Sequence, residues 1–365
     1  MITMFLCGDV MTGRGIDQIL PYPGDPALHE AYMKSAKGYV ELAERSNGPI
    51  PGPVDFAYIW GDAIAELERR EPDVRIINLE TSITRSGDYW KGKEVLYRMH
   101  PENARCLTAA KIDGCSLANN HVLDWGYSGL RETLETLRRV NVKGSGAGLN
   151  LIEAGRPAVM EVNEKGRVIL FSFGSVTSGI PPSWAAASEK PGVNLLKDFS
   201  QESVQAIREK VREVKRQGDI AVASIHWGGN WGYKVSPEQK EFAHQLIDHA
   251  GIDVIHGHSS HHVKGFEVYQ NKLILHGCGD FLTDYEGIGG YEDYRGDLGL
   301  MYFVGVEPSA GILLSLKMVP TQVRRFRVNR ASRTDAFWLR DTLNREGEKF
   351  GTRVELDSEG ILTLR

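Results

Sequence analysis

Cysteine is scarce. The four thiols, Cys7, Cys106, Cys115 and Cys278, form no CxxC pair, so neither a thiolate metal site nor a disulfide scaffold is expected. Cys7 and Cys115 lie in or beside apolar strand-like runs and read as buried free thiols. Long apolar runs are missing too. The opening MITMFLCGDVMTGRG has no basic leading region, and its one apolar strand breaks at Gly8-Asp9, so neither signal peptide nor membrane anchor is expected. Basic excess is absent: 43 Lys and Arg stand against 48 Asp and Glu, a formal net charge of −5 with no charged tail. That removes the electrostatic footprint of a nucleic-acid partner. Internal repeats and low-complexity tracts do not occur. A reducing cytoplasm fits these absences.

What is present is a pattern of apolar runs that each end in polar residues. ITMFLCGD ends at Asp9, VRIINLE at Glu80, IDGCSLANNH at Asn120-His121, DIAVASIHWG at His226, and IDVIHGHSSH in a histidine cluster. Helical patterns separate them over Trp60–Arg70, Gly129–Val140, Glu202–Gln217 and Glu238–His249, the last with Ser236 as N-cap and Pro237 in its first turn. Strands alternating with helices predict a layered α/β fold. Hairpins are expected around Asn163–Gly166 and Gln270-Asn271, and alternation resumes near the C-terminus, so the sheets should be mixed. A C-terminal helix stops at Gly351. Tyr22–Val54, Thr84–Pro101 and the stretch TDYEGIGGYEDYRGD read as long loops, which in a compact domain commonly line a site.

Ligands of α/β sheets bind beyond the carboxyl ends of the strands. The residues gathered there, Asp9, Glu80, Asn120, His121, His226 and the cluster His256, His258, His261 and His262, are oxygen and imidazole donors. Such a set suits Mn²⁺, Fe²⁺ or Zn²⁺. It also exceeds what one tetrahedral cation needs, so two divalent ions are the economical use of it. Singly, each residue has an ordinary reading: Asp9 capping a turn, Glu80 pairing with Arg85, Asn120 in a turn, His226 as a hydrogen-bonded core histidine. Together and in this order they do not.

That order resembles the calcineurin-like metallophosphoesterase superfamily, and more closely its poly-γ-glutamate capsule (CapA) branch. GDVMTGR, NLETSIT, ANNHVLDWG, SIHWGGNW and GHSSHHVKGFE are similar to its five motifs, over Met1 to about Gly279. The resemblance implies a four-layer α-β-β-α sandwich of two mixed sheets flanked by helices. Residues 1–330 would form the catalytic domain, with 331–365 a helix and strand packed on it. It implies Asp9, Glu80, Asn120 and His226 as metal ligands, with Glu80 bridging. His121 would face the substrate, and Asp124 would fix its tautomer. Counting back from the strand makes His256 and His258 the last ligands; counting forward from Gly257 makes them His258 and His261. We assign His256 and His258, with His261 near the substrate. Three departures stand out. Ordinary phosphoesterases open D-x-H, whereas Asp9-Val10 is followed by Met11; Glu80 stands where they carry a shorter Asp; and Asp280 replaces the Asn usual in CapA-type proteins.

Two cations of this kind activate water for hydrolysis of a phosphoester or glutamyl amide, with His121 as general acid. The same parts permit two alternatives. One is Cα epimerisation of a peptide residue, which the resemblance permits because a lasso-peptide epimerase belongs to this CapA-like group. The other is non-catalytic binding of polyglutamate in its synthesis. A small molecule, peptide or polyglutamate is thus the expected partner. Arg14 and Arg98 are candidate clamps for an anionic group, and Trp227 a candidate wall, among loop aromatics that include Trp231, Tyr285 and Tyr291.

Overall fold

A computed structural model describes residues 1–365. The first strand, Ile2–Val10, divides two cores by simple alternation. Ile2, Met4 and Leu6 belong to an apolar cluster of 29 residues, whereas Phe5 and Cys7 belong to one of 46. A period of two with both faces apolar is the pattern of a strand covered on both sides. This strand is central in a ten-stranded mixed sheet. Val74–Leu79 runs parallel to it on one side, followed by Gly114–Ser116 and Lys143–Ser145, also parallel. Leu298–Glu307 pairs antiparallel on the other side as far as Leu6. From there Asp280–Leu282 takes over that edge in parallel, with Asp9 opposite Asp280.

A second mixed sheet has six strands. Its parallel middle consists of Gly166–Gly174, Ile220–His226, Val254–His258 and Lys272–Leu275, with a hairpin partner at each end. Alternation again sorts side chains. Val168, Leu170, Val222, Val254 and Leu273 join the 29-residue cluster shared with the first sheet. Ile169, Phe171, Ala223, Ile255 and Ile274 join a third cluster with Val204, Ile207, Phe242 and Leu246 of the helices Gln201–Val214 and Pro237–Ala250.

The local signals account for most element ends. Ser236 accepts a hydrogen bond from the Gln239 N–H, Pro237 opens the helix, and Gly251 closes it at φ 75°. Gln270 and Asn271 both adopt positive φ in the two-residue hairpin turn. The helix Arg333–Gly347 gives Leu339 and Leu343 to the middle cluster, and Leu362–Leu364 pairs with Ile312–Val323, so the C-terminal residues extend the first sheet. Two expectations are corrected. The run Tyr22–Val54 is not all loop, because Lys37–Asn47 is a helix that buries Tyr39 and Ala43, four residues apart on one face. The strand expected to reach Asn120 stops at Ser116. Beyond it Asn119 donates to the Leu79 carbonyl and accepts from the His121 N–H, a local side-chain turn that competes with the ladder.

Candidate functional site

Parallel strands of both sheets end in one place, and their last side chains meet there. Asp9 closes the first strand, fully buried. Its Oδ1 accepts from Asn78 Nδ2 at 2.7 Å and its Oδ2 from the Ser259 N–H at 3.2 Å. Ser259 holds φ 99°, an uncommon backbone state for a residue with a side chain, and one that clusters at functional sites. Asn78 also donates to Glu80 Oε2 at 2.9 Å, and Asn119 Nδ2 donates to Asn78 Oδ1 at 3.0 Å. One amide therefore fixes two carboxylates. Asn78 was missed in the sequence because it lies inside VRIINLE and reads as strand.

From the second sheet come the imidazoles. His226 Nδ1 lies 2.7 Å from His258 Nδ1, and His226 Nε2 lies 2.9 Å from Asn120 Oδ1 and 3.7 Å from Glu80 Oε1. His258 Nδ1 is 3.9 Å from Asp9 Oδ1. Donor atoms of Asp9, His226 and His258 all lie within 4.8 Å of one another, and so do those of Asp9, His261 and Asp280. The two groups share Asp9. Glu80, expected to bridge, stands at the rim of the first group, between His226 and His121, whose Nε2 is 3.8 Å away.

His256, expected as a metal ligand, lies in neither donor group. Its Nε2 is 2.7 Å from the Cys7 carbonyl, which only accepts, so Nε2 carries the proton. Its Nδ1 therefore accepts from the Ser224 hydroxyl at 3.1 Å. Ser224 Oγ in turn accepts from His258 Nε2 at 2.9 Å, which leaves the His258 Nδ1 lone pair facing Asp9 and His226. His256 thus sets the tautomer of His258 from behind, with neither of its own nitrogens free. His261, expected near the substrate, lines the cleft and also stands in the second donor group, its Nδ1 at 2.9 Å from Asp280 Oδ1. The two donor groups thus contain His258 and His261, the pair that counting forward from Gly257 gives.

Burial governs the charges. It raises the Asp9 carboxyl to about 7, helped by the nearby Asp280 charge, and raises Glu80 well above the usual carboxylate range with Asp9 and Asp280 adding to it. Burial lowers His226 and His258, and takes His256 to about 4. For His261 burial also works downward, but the Asp280 charge and hydrogen bond overcome it and the net direction is up. The neutral imidazoles of His226 and His258 and the crowded carboxylates fit a cation. The single proton of a neutral His226 cannot serve both its contacts. On Nε2 it leaves two Nδ1 lone pairs facing each other, and a cation accepting both resolves that conflict.

His121 is buried beside this centre. Its Nδ1 lies 2.7 Å from Asp124 Oδ2 and 2.9 Å from Lys93 Nζ, and Lys93 also pairs with Asp124 Oδ1 at 2.6 Å. Burial lowers His121 to about 4. The expected His121–Asp124 contact is present, and Lys93 joins it.

Of the three expected substrate contacts, Arg14 lines the cleft described below, whereas Arg98 and Trp227 do not. Arg14 has a fully buried side chain, and its five N–H groups are occupied by Asp284, Glu30, Tyr39 and Tyr97. Arg98 stacks on Trp125 at 3.8 Å and donates to the Ser86 and Asp25 carbonyls, tying two long loops together. Trp227 is 1% exposed, packs in the third apolar cluster and donates to the His276 carbonyl. The open cleft lies against the second donor group, with Arg14 in its wall. It has a volume of about 550 Å³ and is lined by His261, Asp280, Trp231, Tyr285, Tyr291 and Arg324, among others. Trp231 and Tyr291 stack with centroids 4.1 Å apart.

Fold and site together define a mixed α/β protein with a buried carboxylate–imidazole centre beneath an aromatic cleft. The chain belongs to the family described as bacterial capsule synthesis protein PGA_cap, whose model matches residues 3–285. It is 50% identical over its whole length to a probable polyglutamine synthesis accessory protein of Mycobacterium tuberculosis, of which it covers 96%. It is 25% identical to the capsule biosynthesis protein CapA of Bacillus anthracis, over 78% of this chain and 60% of that one. Similarity to the PGA biosynthesis protein CapA of Bacillus subtilis is 24%, over 76% and 62%. No helix is long and apolar enough to cross a membrane.

Proposed function

We propose that the chain is a hydrolase of the metallophosphoesterase type. In this reading it works with two divalent cations on an anionic or peptidic substrate, a phosphoester or glutamyl amide, in capsule or polyglutamate metabolism. The observation that carries the reading is the pair of buried donor groups sharing Asp9 beneath the cleft. Fold supports it as well: two mixed sheets share one apolar cluster and helices pack outside it, the layering that an α-β-β-α sandwich buries. The names of the relatives support the polyglutamate setting.

One cation would be held by Asp9, His226 and His258, with Asn120 and Glu80 adjoining, and the other by Asp9 and His261. When bound, such a pair lowers the pKa of water and withdraws electron density from a substrate oxygen. The protein's own part is positional. Asn78 holds Asp9 and Glu80 in place, and the Ser224–His256 relay fixes His258. His121, braced by Asp124 and Lys93, gives or takes a proton at Nε2 toward the leaving group. Trp231 and Tyr291 wall the substrate and limit water. The test is to load purified protein with Mn²⁺ or Zn²⁺ and assay aryl phosphodiesters and γ-glutamyl anilides, with His226→Ala as control. Turnover lost by about 10³-fold or more in the variant is expected. Metal-loaded wild type inert toward both classes would sink the hydrolase reading.

A further inference from the structure

We propose that Asp280 is itself a ligand of the second cation, supplying the donor that Met11 does not. The inference rests on the two-cation reading and concerns only how its second position is completed. Met11 stands where ordinary phosphoesterases place an imidazole, and a thioether is a poor donor to a hard divalent ion. Although buried, Met11 belongs to none of the three apolar clusters.

The replacement comes from the neighbouring strand. Asp280 lies directly opposite Asp9 in parallel register, and the two strands approach closely. A Cβ at Gly8 would lie 1.7 Å from the Gly279 carbonyl oxygen, so only glycine permits the approach. Asp280 is 1% exposed and still lines the cleft. Its Oδ1 faces His261 Nδ1 at 2.9 Å, while Oδ2 makes no hydrogen bond. Were Asp280 merely the orienting partner of His261, two buried carboxylates would face one another with a single imidazole between them. A cation satisfies all three groups.

The two positions then differ in chemistry. Asp9, His226 and His258 offer one oxygen and two nitrogens, whereas Asp9, Asp280 and His261 offer two oxygens and one nitrogen. Carboxylate-rich sets suit Mn²⁺, and imidazole-rich sets suit Zn²⁺. The second position is the harder one.

The experiment is metal titration, with no substrate. Chelator-stripped full-length protein is titrated with MnCl₂, free Mn²⁺ is read by electron paramagnetic resonance, and bound metal is counted by mass spectrometry. Wild type, Asp280→Ala, Asp280→Asn and His226→Ala are compared, with circular dichroism as the check on folding. Two equivalents are expected in wild type. Asp280→Ala should keep one and weaken the other by about 100-fold or more, the upper end of what even outer partners contribute. Asp280→Asn keeps the shape without the charge and should weaken the same equivalent, which carries the test if the alanine variant does not fold. Two equivalents at unchanged affinity in both Asp280 variants would overturn this proposal and leave the two-cation reading standing. Loss of both equivalents in Asp280→Asn would overturn the assignment to one position. A wild type that takes up no metal would fell the two-cation reading, and this inference with it.

Discussion

Replacing Arg14 should unfold the site's surroundings before it touches any ligand. Its guanidinium joins three segments distant in sequence: Glu30 and Tyr39 from the first long loop region, Tyr97 from the second, and Asp284 from the third. Both carboxylates have fully buried side chains. The rings of Tyr39 and Tyr97 lie 3.9 and 4.2 Å from the guanidinium carbon. Arg14→Met strands two buried carboxylates, and removing one partner of a buried ion pair costs about 3–5 kcal/mol. A loss of about 3 kcal/mol or more is therefore expected at pH 7. The backbone offers an internal control. Arg14 sits at φ 48°, ψ −119°, a region that glycine tolerates and other residues occupy at a cost of about 1–3 kcal/mol. Arg14→Gly should therefore be less destabilised than Arg14→Ala by about 1 kcal/mol or more, though both lose the same side chain. Urea denaturation of the three variants, read at constant slope, measures each difference. A loss below about 1 kcal/mol in Arg14→Met would refute the keystone role. Equal stability of the glycine and alanine variants would refute the strain.

Two further outcomes follow from buried groups. Lys264 is 5% exposed and makes no ion pair, and burial, with Lys349 nearby, lowers its amine to about 8. An unfolded lysine titrates near about 10.4, so between the two values the unfolded chain binds more protons and folding stability rises with pH. Lys264→Met should remove that rise and add up to about 3 kcal/mol at pH 7; an unchanged stability–pH slope above pH 8 would contradict the argument. Asn78→Leu keeps the side-chain bulk but deletes the donors to Asp9 and Glu80, and should weaken metal binding by about 10–100-fold. Wild-type affinity in that variant would show that the amide is merely structural.

What the sequence made legible is what lies along one strand; what it hid lies across strands. Asp9, His226 and His258 end their runs visibly, because an apolar segment that stops at a donor leaves it at the sheet's carboxyl edge. Alternation also placed His256 and His258 on one side, but it carries no information about depth. Only the second sheet's approach to the first, where the Cys7 carbonyl meets the His256 ring, decides that His256 is a brace. Arg14 and Arg98 show the same limit from the side of charge. A guanidinium in a loop reads as available until its partners are known, and for Arg14 one of them lies 270 residues away. Asp280 was visible as a departure from the expected Asn, yet its meaning needed the register that sets it beside Asp9. On the two-cation proposal, Met11, which departs from ordinary phosphoesterases, and Asp280, which departs from CapA-type proteins, act together: the first strand lacks a donor and the strand beside it supplies one. A chain that restored histidine at position 11 would have no further need of the carboxylate at position 280.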